Sequence, residues 1–305
     1  MDPTFFLEQI FNGLGYGFML FLLAAGLTLV FGIMDTLNLA HGSLFMVGGY
    51  VSAAVHVQSG SFMLAVGVAV LATVLLAALL EALLVRRLYS RDHLAQVLAT
   101  FGIVLIADDL VKLVWGPSPI MAPTPAQLSG PIDLLGLPYP SYRLLILGAG
   151  FAVAVGLYLL VNHSRLGMLV RAGASNRAMA EFMGVRVSKV FAIVFALGAA
   201  LAALAGALMG PISAVSIGMG EAILIPALVV IVIGGIGSVR GAFVASLLVG
   251  LVDTAGRAFL PPLLRELLPP ALAADAGPAI AGIAMYMLMA GVLVFKPSGL
   301  FPARA

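Results

Sequence analysis

The run NGLGYGFMLFLLAAGLTLVFGI, residues 12–33, holds 22 residues without a single charge. Roughly 20 apolar residues wound as a helix cross about 30 Å of hydrocarbon, so this stretch reads as a membrane span. It lacks a Lys/Arg-rich flank and a clear cleavage site, which argues for a retained span over a signal peptide. The rest of the chain agrees. Of 305 residues, 62% are hydrophobic and 9% charged, and the mean hydropathy is +1.17. Soluble domains carry about 25% charged residues, and a soluble chain of this size could not hide so much apolar surface from water. Gly and Pro, at 35 and 17, also fit membrane helices. There is no Cys, which excludes disulfides, thiolate metal sites and thiol chemistry. A net charge of +2 gives no reason to expect a nucleic-acid partner.

Working outward from that first span (near 10–34), apolar segments fall near 39–58, 61–85, 94–115, 143–161, 190–211, 222–236, 241–257 and 277–295. They predict an all-α polytopic integral membrane protein of eight or nine transmembrane helices, folded as one domain over residues 1–305. The segments 222–236 and 241–257 are short and flank GGIGSVRG. They read as two tilted spans or as a broken, partly re-entrant pair, tolerable only where protein covers the open backbone.

Lys and Arg set the orientation. Arg86, Arg87 and Arg91, then Arg165, Arg171, Arg177, Arg186 and Lys189, then Arg240, and finally Lys296 and Arg304 fall on one side of a nine-crossing drawing. That side is the cytoplasm, with the N-terminus (Asp2, Glu8) periplasmic and the C-terminus cytoplasmic. Residues 116–142 contain no Lys or Arg and are too proline-rich for a regular helix, so they predict a semi-rigid external loop. The stretch PPLLRELLPPALAADAGP at 261–278 offers a short amphipathic helix on the same face.

Residues 162–189, NHSRLGMLVRAGASNRAMAEFMGVRVSK, are the longest polar stretch between spans, yet apolar side chains run through them. Ser175 is placed to cap a short helix over 175–183, with Met179, Phe182 and Met183 to one side and Gly184 as its stop. Exposed apolar residues between basic flanks suit docking on another protein. The plainer reading is that Arg and Lys anchor the chain in lipid headgroups.

Four stretches in order carry a resemblance. Residues 12–33, NLAHGSLFMVGGY (38–50), LGMLVRAGASNRAMAEFMGV (166–185) and GGIGSVRGAFVASLLVG (234–250) together resemble the LivH-type permease subunits of branched-chain amino acid ABC transporters. The resemblance runs along nearly the whole chain. It implies ATP-driven import of branched-chain or other small amino acids across the bacterial inner membrane. It also implies a second permease subunit, often a non-identical homologue, two cytoplasmic ATP-binding subunits and a periplasmic substrate-binding protein. Residues 162–189 then form a cytoplasmic coupling loop, touching the ATPase through Arg171, Asn176, Arg177, Ala180 and Gly184. No cofactor is implied. No GxxxxGK[ST] loop occurs, so ATP hydrolysis belongs to a partner and the subunit is not itself an enzyme. Two departures stand out: Ser43 follows His41–Gly42, and Asn176–Arg177 occur, at positions often acidic in that family. A permease for urea or an amide, and a self-contained secondary carrier or channel, remain the alternatives.

Asn38, His41 and Gly42 lie at the turn between the first two spans. No metal-ligand spacing surrounds His41. Asn38 and His41 either satisfy backbone groups at a helix break or line the translocation path near its start. Asp108, Asp109 and Lys112 sit in the fourth span, where both acids are spaced to pair with Lys112 at i,i+4 and i,i+3. Glu221 opens the seventh segment, favouring a helix N-terminus. No HExxH occurs, and adjacent Asp108 and Asp109 diverge around a helix, so an intramembrane enzyme is disfavoured.

Overall fold

The computed structural model describes residues 3–34, 38–88, 91–134, 136–266 and 269–302; Asp2 and Arg304, two of the orientation markers, lie outside them. Among the described residues, helices run α1 (Pro3–Met34), α2 (Ala40–Ser59), α3 (Phe62–Leu88), α4 (His93–Trp115), α5 (Ser141–His163), α6 (Arg165–Ser175), α7 (Arg177–Phe182), α8 (Val187–Met209), α9 (Met219–Gly234), α10 (Val239–Leu264) and α11 (Pro270–Phe295). A two-stranded hairpin, β1 (Pro131–Leu134) and β2 (Leu137–Pro140), stands between α4 and α5.

Each apolar segment of the sequence falls on one of these helices. Crossing a membrane is a stricter condition. Six helices are long and apolar enough: α1, α3, α5, α8, α10 and α11. The expected eight or nine therefore exceeds what length and hydropathy carry. In α2, His41, His56 and several glycines dilute the apolar run, and in α4 Asp108, Asp109 and Lys112 do so. With 16 residues, α9 is about 24 Å long, shorter than the hydrocarbon core.

Lipid tails are as apolar as Leu, so membrane helices associate through close packing of small residues. The central helix α1 is 78% buried over its most apolar window, against 11% for α11. Gly13 and Gly17 of α1 meet Gly250 and Ser246 of α10, and Gly32 meets Gly237. Beside them α2 and α8 run parallel, Gly48 on Ala203 and Gly206 on Phe45; a Cβ on Gly206 would overlap the Phe45 carbonyl. Outward faces of α3, α4, α5 and α11 present Leu71, Leu113, Phe151 and Met287.

Three expectations change. First, α10 extends to Leu264 rather than stopping near 257, because Asp253 and Arg257 neutralise each other on one face at 2.8 Å. The stretch 261–278 accordingly divides between the end of α10 and the start of α11, and no separate amphipathic helix forms among the described residues. Second, irregular backbone lies before α9. Residues 210–218 run beside α2, Gly210 and Val215 buried and the rest partly exposed, with Val215 paired to Ile120 by backbone bonds of 2.8 and 2.9 Å. Third, the proline-rich loop holds the hairpin, whose prolines are tolerated because a two-stranded ribbon has only edge strands.

Candidate functional site

In the 162–189 loop, two helices form where one was expected. Ser164 caps α6 by accepting from the Gly167 N–H at 3.0 Å, and Asn176, not Ser175, caps α7 by accepting from Met179 at 2.9 Å. Ser175 is the last residue of α6; Asn176 is free to cap because its backbone is extended there. Gly184 stops the turn at φ +85°, a conformation open to Gly at no cost. Phe182 is 88% exposed and Met183 79%, with Met168 and Met179 also exposed. Arg177 lies 3.2 Å from Glu181 and stacks 5.2 Å from the Phe191 ring centre, while Arg171 donates to the Val161 carbonyl. Ala180 is buried and faces the bundle, so of the five coupling candidates it supports the loop from beneath.

At the start of α2, Asn38 accepts from the Ala40 N–H at 3.1 Å, acting as a cap. His41 is 1% exposed, with its ring wedged between Gly26 of α1 and Gly198 of α8. Gly42 lies directly on Gly220 of α9. These three residues thus join four helices. Because Gly26 is about two turns inside the end of α1, α2 and α9 both begin within the bundle.

The charged group on α4 does not close on itself. Among the described residues Lys112 forms no ion pair, and both it and Asp109 are exposed. Asp108 turns the other way, half-buried, to where the charge of Glu221 on α9 acts on it. Tertiary approach of α9 overrides the local i,i+4 spacing. Tyr50 of α2, fully buried against Trp115 at 5.4 Å between ring centres, feels the charge of Asp108. Among the described residues, four atoms here have no hydrogen-bond partner: Asp108 Oδ1, Glu221 Oε2, the Tyr50 hydroxyl and Ser43 Oγ. Each such buried group costs roughly 1–3 kcal/mol. Apolar walls come from Met46, Val111, Val215 and Met219. Only Glu221's place in the first helical turn was legible in the sequence; its partner was not.

At the hairpin end, Arg143 and the Tyr139 hydroxyl both donate to Asn12 Oδ1, bordering a cavity of about 230 Å³. Burial lifts the Tyr139 phenol above its ordinary pKa, and Arg143 opposes that. Arg143 escaped the sequence reading because it stands one residue past the loop that lacks Lys and Arg.

Compared with known proteins, residues 9–296 match the model of the family described as branched-chain amino acid transport system, permease component. The chain belongs to this family. Its relatives include the high-affinity branched-chain amino acid transport system permease protein BraD of Pseudomonas aeruginosa, 29% identical, with 97% of this chain and 95% of that protein covered. The corresponding permease protein LivH of Escherichia coli K12 is 28% identical, covering 84% of this chain and 87% of that one. The ribose import permease protein RbsC of the same organism is 25% identical over 83% and 79%. No solved structure matches the chain. The family match begins within α1 and ends just after α11, so the permease family accounts for every helix described above.

Proposed function

We propose that the chain is the membrane-spanning subunit of an ATP-driven importer of branched-chain amino acids, set in the bacterial inner membrane. The names of its relatives and the family match supply the substrate class. One observation carries the coupling mechanism: Phe182 and Met183 project from a short capped helix on a loop rich in Arg. A large apolar side chain held out on a rigid turn is a typical anchor for a partner's pocket. The α6–α7 surface, with Arg171, Asn176, Arg177 and Gly184 around that anchor, docks on a cytoplasmic ATP-binding subunit. Ala180 holds α7 against α8 beneath it.

A second permease subunit covers the outer face of α4. Asp109 and Lys112 are exposed there, more than halfway along a helix whose other outward residues are Leu98, Phe101, Leu105 and Leu113. Charges facing hydrocarbon are costly, so this face suits protein or a water-filled path. The hairpin end, without Lys or Arg in 116–142, faces the periplasm and receives a substrate-binding protein. This orientation places the N-terminus outside and the C-terminus in the cytoplasm, with nine crossings when α2, α4 and the short α9 are included.

The test is co-purification from native membranes in mild detergent, followed by mass spectrometry of stoichiometric partners. The expected result is an ATPase carrying a Walker loop, together with another permease. Repeated recovery of the chain alone, under conditions that keep other transporters intact, would return residues 162–189 to the role of headgroup anchor.

A further inference from the structure

Where α2, α4 and α9 meet, two carboxyls and two hydroxyls each carry an oxygen with no hydrogen-bond partner among the described residues. Ser43 and Tyr50 are seven residues apart, hence on one face of α2, and are 5% and 0% exposed. Neither hydroxyl has a partner, and Asp108 Oδ1 and Glu221 Oε2 have none either. The Gly220 backbone of α9 packs on Gly42 and reaches the Ser43 N–H, which sets the α9 end of the site beside Ser43. Tyr50 of α2 packs in one cluster with Ala107 and Val111, which flank Asp108 on α4, and with Met219 at the start of α9, two residues before Glu221; this sets the α4 end. Glu221 folds back toward Gly218 at the start of its own helix, where the macrodipole favours a negative charge.

Two carboxyls sharing a buried site hold a proton between them until a cation displaces it. Lys112, one turn along α4 from Asp108, is exposed and pairs with neither acid among the described residues. The walls beside the acids are aliphatic and aromatic: Met46, Val111, Val215, Met219 and Trp115. The irregular backbone at 210–218 enters this region, and such backbone persists inside a membrane bundle where it borders a path. We propose that Asp108 and Glu221, with the Tyr50 and Ser43 hydroxyls, form a transient site for the primary ammonium group of an aliphatic amino acid in passage. The inference rests on the amino acid permease reading and adds the residues that meet the substrate.

The experiment uses the native complex, purified with its partners, reconstituted into liposomes and supplied with ATP and its binding protein. Uptake of labelled leucine is compared for wild type, Asp108→Asn, Glu221→Gln and Tyr50→Phe, each nearly isosteric. Complex yield and basal ATP hydrolysis are measured alongside. Uptake is expected to fall at least tenfold in both acid variants and about threefold in Tyr50→Phe, relative to complex yield and to basal hydrolysis. Asp108→Glu should recover part of the loss. Uptake within twofold of wild type in all three variants overturns the site while leaving the permease reading intact. A loss that only tracks complex yield also overturns it, assigning the acids to packing. Absence of leucine uptake by the wild-type complex removes the substrate reading beneath it.

Discussion

The two faces of α2 are built on opposite principles. One face carries His41 and Gly48 and lies so close to α1 and α8 that Gly26, Gly198 and Ala203 leave no room for another atom. The other carries Ser43 and Tyr50, equally buried, whose hydroxyls, like His41 Nε2 on the first face, have no hydrogen-bond partner among the described residues. The first face is set by contact between small residues. The second borders the carboxyls of Asp108 and Glu221 and forms part of the ammonium site proposed above. Unpartnered polar atoms occur on both faces, so what separates the two is close backbone approach on the first and the neighbouring carboxyls of Asp108 and Glu221 on the second.

The largest effect expected on this contrast comes from Gly206→Val. It forces a side chain into the Phe45 backbone and should destabilise by about 3 kcal/mol, at the upper end of overpacking costs. Protein recovered in the membrane should fall sharply, whereas normal abundance would show that the tight face yields easily. Phe182→Asp tests a surface that also awaits a partner. Truncated hot spots cost about 2 kcal/mol or more, roughly 30-fold in affinity, so co-purified ATPase should drop while membrane abundance holds. Loss of both together would make Phe182 a folding residue instead.

Asp253→Asn breaks the ion pair with Arg257 and should lower stability by about 1 kcal/mol or less, since the arginine is half exposed. A much larger fall would mean that α10 cannot extend past residue 257 without that pair. Smallest is Tyr50→Phe, which removes a hydroxyl with no hydrogen-bond partner among the described residues. Its melting temperature in detergent should match or slightly exceed wild type, because deleting an unpartnered polar group relieves its burial cost. A clear decrease would reveal a partner for the hydroxyl within the chain and take it out of the proposed site.

Much of the fold was written in apolar run length, since charged junctions such as Arg86–Arg87 and Arg165–Lys189 part the helices cleanly. What escaped depended on tertiary approach. Asp108 was spaced for Lys112 along its own helix but is met by Glu221, 113 residues later in the chain. The Asp253–Arg257 pair read as the end of a span because charges count against hydrocarbon one by one, yet together they close on a helix face. The hairpin was hidden by its prolines. The exposed apolar residues of α7 were readable, since Phe and Met are out of place in a basic loop; only the choice between Ser175 and Asn176 as cap required backbone geometry.

The closing of α9 ties the architecture to the order in which it is made. Its last carbonyls, on Ile233 and Gly234, are taken by the N–H groups of Leu300 and Phe301 at 2.8 and 3.0 Å. Until then they are orphan helix-end groups. Phe301 is 67 residues downstream of Gly234, about 3–13 s of translation at ordinary rates. A segment this short cannot hold a transmembrane position by its own hydrophobicity. It must wait, loosely lodged, while α10 and α11 emerge and return the chain to its foot. The helix that bears Glu221 is thus among the last to be fixed, so ribosomal pausing within residues 235–301 should lengthen the interval in which the nascent protein is open to membrane proteases.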